Sequence, residues 1–157
     1  MRAGSGLDPE TVREYHRGDF LVSTDRDRLD LDVVHGFLTN SYWAKGIPRK
    51  TVERSIHNSL CFGIYEGVAQ VGFARVVSDF ATVAYLGDVF VTDSHRGRGL
   101  SKWLMECITQ HPALQTLRRW ILLTRDAHGL YAQFGFTPVQ SPERFMEIHR
   151  LNVYEAV

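Results

Sequence analysis

The chain has 157 residues, 44% of them hydrophobic and 11% aromatic, which suffices for one packed domain and is too apolar for a disordered chain. Eighteen Lys and Arg balance eighteen Asp and Glu, so no general affinity for nucleic acid or an anionic membrane is expected, and any anion recognition must be local. No stretch approaches the roughly 20 apolar residues of a membrane span and no signal-peptide core opens the chain, so a soluble, cytoplasmic protein is expected.

Residues 1–18 carry Gly4, Gly6, Asp8-Pro9 and many charges, and they read as a flexible leader before a single domain over 19–157. Phe20 to Thr24 predicts a first strand. Asp30 is placed to cap a helix whose apolar positions are Leu31, Val34, Phe37 and Leu38. An aromatic loop, Ser41-Tyr42-Trp43-Ala44-Lys45-Gly46, follows, and Pro48 opens a second helix with Val52 and Ile56 facing inward. Leu60–Tyr65 and Val68–Val77 read as two strands of a hairpin joined at Glu66-Gly67. Asp79 to Thr82 makes the next turn, and residues 83–91 return as a third strand of this group. After a helix from Leu100, Arg119–Thr124 reads as a strand, 127–134 as a helix and Phe145-Met146-Glu147-Ile148 as a terminal strand. The order is β-α-α-β-β-β-α-β-α-β, an α/β chain with a mixed sheet.

The most informative stretch lies between the 83–91 strand and the helix with apolar residues at 100, 103, 104, 107 and 108. There the sequence is Arg96-Gly97-Arg98-Gly99-Leu100-Ser101-Lys102. Cations at a helix N-terminus oppose its positive dipole end by about 0.3–1 kcal/mol each. A bound polyanion reverses that sign, because the first backbone N–H groups lack intrahelical partners and glycine lets a ligand approach the main chain. The residues alone leave two readings, a phosphate cradle and a solvated Gly-rich turn. A dinucleotide fingerprint requires a third Gly where Lys102 stands, and a Walker A loop is absent. The cysteines, Cys61 and Cys107, do not make a CxxC pair and read as buried thiols. The seven histidines lack metal-ligand spacing, so no metal is expected.

Arg96-Gly97-Arg98-Gly99-Leu100-Ser101 resembles the Arg/Gln-x-x-Gly-x-Gly/Ala loop of the GNAT acetyltransferase superfamily, which grips the pyrophosphate of acetyl-coenzyme A. Ser101 stands where that loop has Gly or Ala. A second stretch, Ala127 followed by Leu130-Tyr131-Ala132-Gln133-Phe134-Gly135-Phe136, is similar to the family's Leu-Tyr-x-x-x-Gly-Phe helix end. Thr124-Arg125-Asp126 replaces an Asn common just before that Ala. The resemblance covers roughly 20–150. It implies the GNAT fold, a mostly antiparallel twisted sheet flanked by helices, with acetyl-CoA as cosubstrate.

The resemblance also implies site residues. Arg96, Gly97, Arg98, Gly99, Leu100, Ser101 and Lys102 would hold the cofactor. Val89, Phe90 and Val91 would lie along its thioester arm, with main-chain N–H groups of Phe90 and Val91 at the carbonyl oxygen. Tyr131 would give a proton to the departing thiolate, since a phenol of pKa about 10 is protonated at neutral pH; an aromatic packing role is the other account. Asp88 is the candidate base, and Asp79 a candidate attractor of a cationic acceptor, unless both are solvated turn or edge carboxylates. Tyr42, Trp43 and Phe80 would wall an acceptor pocket or simply fill core. The expected activity is acetyl transfer to a primary amine of a small molecule or peptide. A non-catalytic sensor of coenzyme A or another phosphate ligand is the alternative, and a homodimer is an arrangement the resemblance allows.

Overall fold

The computed structural model describes residues 7–155. Six strands lie side by side in chain order: β1 (Glu14–Arg17), β2 (Phe20–Ser23), β3 (Leu60–Glu66), β4 (Ala69–Ser78), β5 (Val83–Val91) and β6 (Arg119–Leu122). The first five pair antiparallel, and β6 runs parallel to β5. A parallel neighbour requires a crossover, and helix α3 (Leu100–Thr109) supplies it. Between β2 and β3 the chain forms α1 (Leu31–Thr39) and α2 (Arg49–His57); after β6 comes the short α4 (His128–Ala132). Asp30 caps α1 as expected, accepting from the N–H groups of Asp32 at 3.0 Å and Val33 at 3.3 Å. The β3–β4 hairpin forms too, with its two linking residues at Gly67-Val68, one place later than expected. Gly67 takes the positive φ of 59° there.

The sheet is covered on both faces, which is why β3 is almost continuously buried. Strand alternation sends neighbours into different cores. Phe62, Ala74 and Val91 meet Trp103, Leu104 and Ile108 of α3, whereas Cys61, Phe73 and Phe90 meet Val34, Leu38 and Val52 of α1 and α2. Both cysteines are free and buried, and desolvation pushes each thiol up to about 12. No helix of the described residues is long and apolar enough to cross a membrane.

Two expectations fail. Residues 1–6 of the expected leader lie outside the described residues, but Glu14–Arg17 form a strand paired to β2, which a leader running to residue 18 does not contain. This strand alternates little and is mostly exposed, so it carries no apolar signature. Conversely, Phe145 to Ile148 alternates yet forms no strand, with Met146 97% and Ile148 88% exposed. Alternation supplies a face, but a strand also needs a hydrogen-bonded edge. Among the described residues no strand pairs with the outer edge of β6. The element order is therefore β-β-α-α-β-β-β-α-β-α.

One buried group ties the fold to pH. His111, at the end of α3, is fully buried; its Nδ1 accepts the Ala113 N–H at 3.1 Å and its ring stands edge-on to Phe62. Burial, with the Arg13 charge adding, pushes its pKa down from 6.5 to about 4. The unfolded chain therefore binds this proton more readily, and the stability present above the unfolded value is lost as pH falls through the window. Urea titrations should show roughly 3 kcal/mol lost from this group between pH 6.5 and 4. His111→Asn, whose Oδ1 can still accept from Ala113, should flatten that slope.

Candidate active site

The site begins where β5 departs from its neighbours. Phe73 pairs with Phe90 but Arg75 pairs with Gly87, so one residue of β4, Ala74, faces two of β5, Asp88 and Val89. The extra residue is a bulge at Asp88, whose φ is +55°. On the other side, pairing with β6 ends at Leu86–Leu122. Past the bulge, β5 has an open edge. Thr92 N–H turns toward β4, bonding Val71 O at 2.8 Å, so alternation points the Val91 N–H into the opening and leaves that of Phe90 on the β4 side. Of the two N–H groups expected at a carbonyl oxygen, Val91 has the required direction and Phe90 does not. The Phe90 ring instead stacks on Phe37 at 3.9 Å.

The opening is a cleft of about 930 Å³. Its floor is Val89, Phe90 and Val91, and one end is the loop into α3. Gly97 and Gly99 sit at φ +78° and +75°, left-handed values that disfavour any side chain, and an added Cβ at either would meet only open space. Helix α3 begins with no side-chain cap and no acid in its first turn, so Leu100, Ser101 and Lys102 bring uncapped N–H groups and one ammonium to the cleft. Arg96 lines it as well, while donating to Val91 O at 3.4 Å and pairing with Asp93 at 3.0 Å. Arg98 does not line it; its guanidinium lies 3.7 Å from Glu66.

Glu66, at the end of β3, also approaches His95 Nε2 at 3.4 Å. The Ser94 hydroxyl lies 2.8 Å and the Thr92 hydroxyl 3.3 Å from His95 Nδ1. A carboxylate only accepts, so Glu66 favours the tautomer with the ring proton on Nε2, which leaves Nδ1 to accept from a hydroxyl. One carboxylate thus steadies both a wall residue and a cation of the loop.

At the other end the α1–α2 loop spans the parted strands. Tyr42 accepts the Arg125 N–H at 3.3 Å, and the Arg125 guanidinium lies 3.8 Å from the centre of its ring. Trp43 donates its indole N–H to Asp88 at 2.9 Å. Tyr131, on α4, is 8% exposed and packs edge-on to Phe136, yet it also lines the cleft. Burial pushes its phenol up to about 12, with Tyr42 and Asp126 adding to the shift. Its aromatic packing and its place at the cleft therefore coexist.

A model of the family described as Acetyltransferase (GNAT) domain matches residues 57–138, from the end of α2 to just beyond α4 and over half of the chain. The chain belongs to the GNAT acetyltransferases. A Gibberella zeae protein named "Putative acetyltransferase" is 31% identical over 144 residues, covering 77% of this chain and 80% of that protein. A solved Xanthomonas campestris structure, of a protein assigned to the same family, is 53% identical with a TM-score of 0.84, over 86% of this chain and 96% of the other. A Clostridium acetobutylicum protein solved with acetyl-CoA shares the fold at a TM-score of 0.60 and 11% identity, over 88% of this chain and 95% of that one.

Within this GNAT acetyltransferase, the cleft gathers Val89, Phe90, Val91, Arg96, Gly97, Gly99, Leu100, Ser101, Lys102, Tyr42, Trp43 and Tyr131, all singled out from sequence. Asp79 and Phe80 are elsewhere, in the β4–β5 turn at the far end of β5. Asp79 is consumed by that turn. It accepts from the Thr82 hydroxyl and from the N–H groups of Ala81, Thr82 and Val83, which hold its pKa well below the ordinary carboxylate range. Phe80 packs against the α3-side core. Asp88 is adjacent to the cleft but does not line it. The sequence reading missed Glu66, His95 and Arg125; His95 sits inside the loop motif and was open to notice, whereas only the folded hairpin brings Glu66 there. No group of three or more potential metal-ligating His, Cys, Asp or Glu lies among the described residues.

Two glycine substitutions test the loop geometry. Gly99→Ala should lower stability by about 1–2 kcal/mol, from backbone strain rather than a clash. Gly36→Ala, helical in α1 and also facing open space, should raise it by about 0.5–1 kcal/mol, both read from urea unfolding.

Proposed function

We propose that the protein is an acetyl-CoA-dependent N-acetyltransferase whose acceptor is a primary amine of a small molecule or peptide. The observation that carries this reading is a juxtaposition: the uncapped start of α3, with its two left-handed glycines and Lys102, opens into the same cleft as the Tyr131 phenol. The residues present fit the cofactor, since a helix start lacking acid and cap is suited to an anion and the glycines leave main chain unobstructed. Leu100, Ser101 and Lys102 would hold the diphosphate, with Arg96 beside them. Acetyl-CoA supplies an activated thioester carbonyl and a thiol leaving group. The Clostridium acetobutylicum neighbour, solved with acetyl-CoA, supports the cofactor by likeness of fold.

The chain's own groups divide the remaining work. Val91 N–H, on the open edge of β5, is aimed where a carbonyl oxygen gaining charge needs a donor. Tyr131 retains its proton throughout the neutral range because burial raises its pKa to about 12. Complete transfer from such a phenol to an ordinary thiolate runs uphill in water, but the same desolvation makes a thiolate in the cleft more basic. The phenol therefore acts as a hydrogen-bond donor that completes its transfer as negative charge collects on sulfur. The acceptor amine reacts in its neutral form, entering beside Tyr42 and Trp43; the proton its nitrogen sheds as the amide forms passes to solvent, and solvent returns one to Tyr131 once the thiol has left.

Thiol release from acetyl-CoA, measured with tryptamine, spermidine and a short peptide bearing a free α-amine, tests the activity. Turnover with one of these is expected; calorimetric binding of acetyl-CoA without turnover of any would mark a sensor instead. Tyr131→Phe should lower kcat by about 100-fold or more while acetyl-CoA affinity and thermal stability are kept. A fall in stability with little change in kcat would make the residue a packing aromatic only.

A further inference from the structure

Asp88 was expected to be a base, and its surroundings show a different use. A base must direct a lone pair at the proton it takes. Both carboxylate oxygens of Asp88 already have partners: Oδ2 accepts from Arg75 Nε at 2.9 Å and Oδ1 from the Trp43 indole N–H at 2.9 Å. Arg75 is itself tethered to the Ser59 hydroxyl at 3.2 Å, and the Arg75 and Asp88 side chains are only 19% and 11% exposed. Trp43, by contrast, sits on a loop without regular structure, 42% exposed, and the indole bond to Asp88 is its side-chain hydrogen bond to the body of the sheet. The left-handed backbone at Asp88 is strained for a residue with a side chain. Such strain persists where surrounding contacts over-determine it, and here those contacts are the guanidinium and the indole.

We propose that Asp88 is a positioning residue that fixes the Trp43 ring as the wall of the acceptor site, so that the β5 bulge sets acceptor affinity. The inference rests on the acetyl-transfer reading above and deepens it. The chain of contacts runs Ser59, Arg75, Asp88, Trp43. Ser59 sits in the turn between α2 and β3, strands β4 and β5 hold Arg75 and Asp88, and Trp43 is the one that faces the cleft. A hydrogen bond to a charged acceptor, partly shielded from water, is strong enough to hold one indole orientation against loop motion.

Three variants and two readouts decide it. Trp43→Phe removes the N–H donor and keeps an aromatic ring; Asp88→Asn replaces the charged acceptor; the third variant combines them. Each single variant should raise the KM of the amine that the wild type turns over by about 10-fold. It should leave kcat within about threefold, acetyl-CoA affinity unchanged and the shape of the kcat–pH profile intact. The double variant should lie within about twofold of the worse single, because both cut the same link. In proton–nitrogen spectra, the indole resonance missing from Trp43→Phe identifies Trp43, and its exchange with solvent should be slow in wild type and fast in Asp88→Asn. A 100-fold fall in kcat for Asp88→Asn, with loss of a pH limb and no change in acceptor KM, would make Asp88 the base and overturn the proposal. So would an unchanged acceptor KM in Trp43→Phe, or unchanged indole exchange in Asp88→Asn. If Asp88→Asn does not fold, Trp43→Phe still decides, since it leaves the Arg75–Asp88 pair whole. If the wild type turns over none of the amines, it is the acetyl-transfer reading that fails, and the indole resonance still reports whether Asp88 holds the ring.

Discussion

The structure depends on the parting of β5 from β6 after Leu86. Two parallel strands that stayed paired would leave no room between α4 and the α3 loop, and the N–H of Val91 would be spent on a neighbour. The extra residue at Asp88 makes the separation permanent by re-aiming the second half of β5. Everything chemically useful is then placed relative to that half-strand. The Gly-rich loop into α3 continues from its end, Tyr131 approaches from the far wall, and the α1–α2 loop reaches across both. This is a constraint on backbone pairing before it is a matter of side chains, which is how one cleft accommodates apolar floor, cationic end and aromatic wall together.

The electrostatics are arranged locally on a chain of zero net charge. Cations gathered at one helix start repel one another, and the structure answers with two carboxylates, Asp93 on the cleft wall and Glu66 just outside it. Asp93 meets Arg96, and Glu66 meets Arg98 and His95. These pairs are largely exposed and weak individually, so they orient the basic groups without neutralising the site. Lys102 lines the cleft and has no ion pair among the described residues.

What was legible in the sequence follows from where the information sits. The α3 loop is local: glycines and cations at fixed spacing before an amphipathic run carry their meaning without the rest of the fold. The alternation that puts Phe73 and Ala74 into opposite cores is local as well. Carboxylates were harder, because a carboxylate's role is decided by what it faces. Asp79 and Asp88 look alike in sequence, yet one is exhausted by its own turn and the other is clamped by residues 13 and 45 positions away. Strand β1 and the missing terminal strand fail for a related reason. Edge pairing depends on which backbone lies within reach, and side-chain patterning is nearly silent about that when one face remains wet.

The two buried, free cysteines have a consequence for how the chemistry can be watched. With both sulfurs buried and their pKa pushed to about 12, each carries a thiolate in only on the order of one molecule in 10⁵ at neutral pH. A chromogenic disulfide reagent added during turnover therefore finds almost nothing to attack on the folded protein. In the proposed acetyl transfer, colour that develops at the rate of the reaction would then belong to the coenzyme set free, and the chain supplies its own silent background.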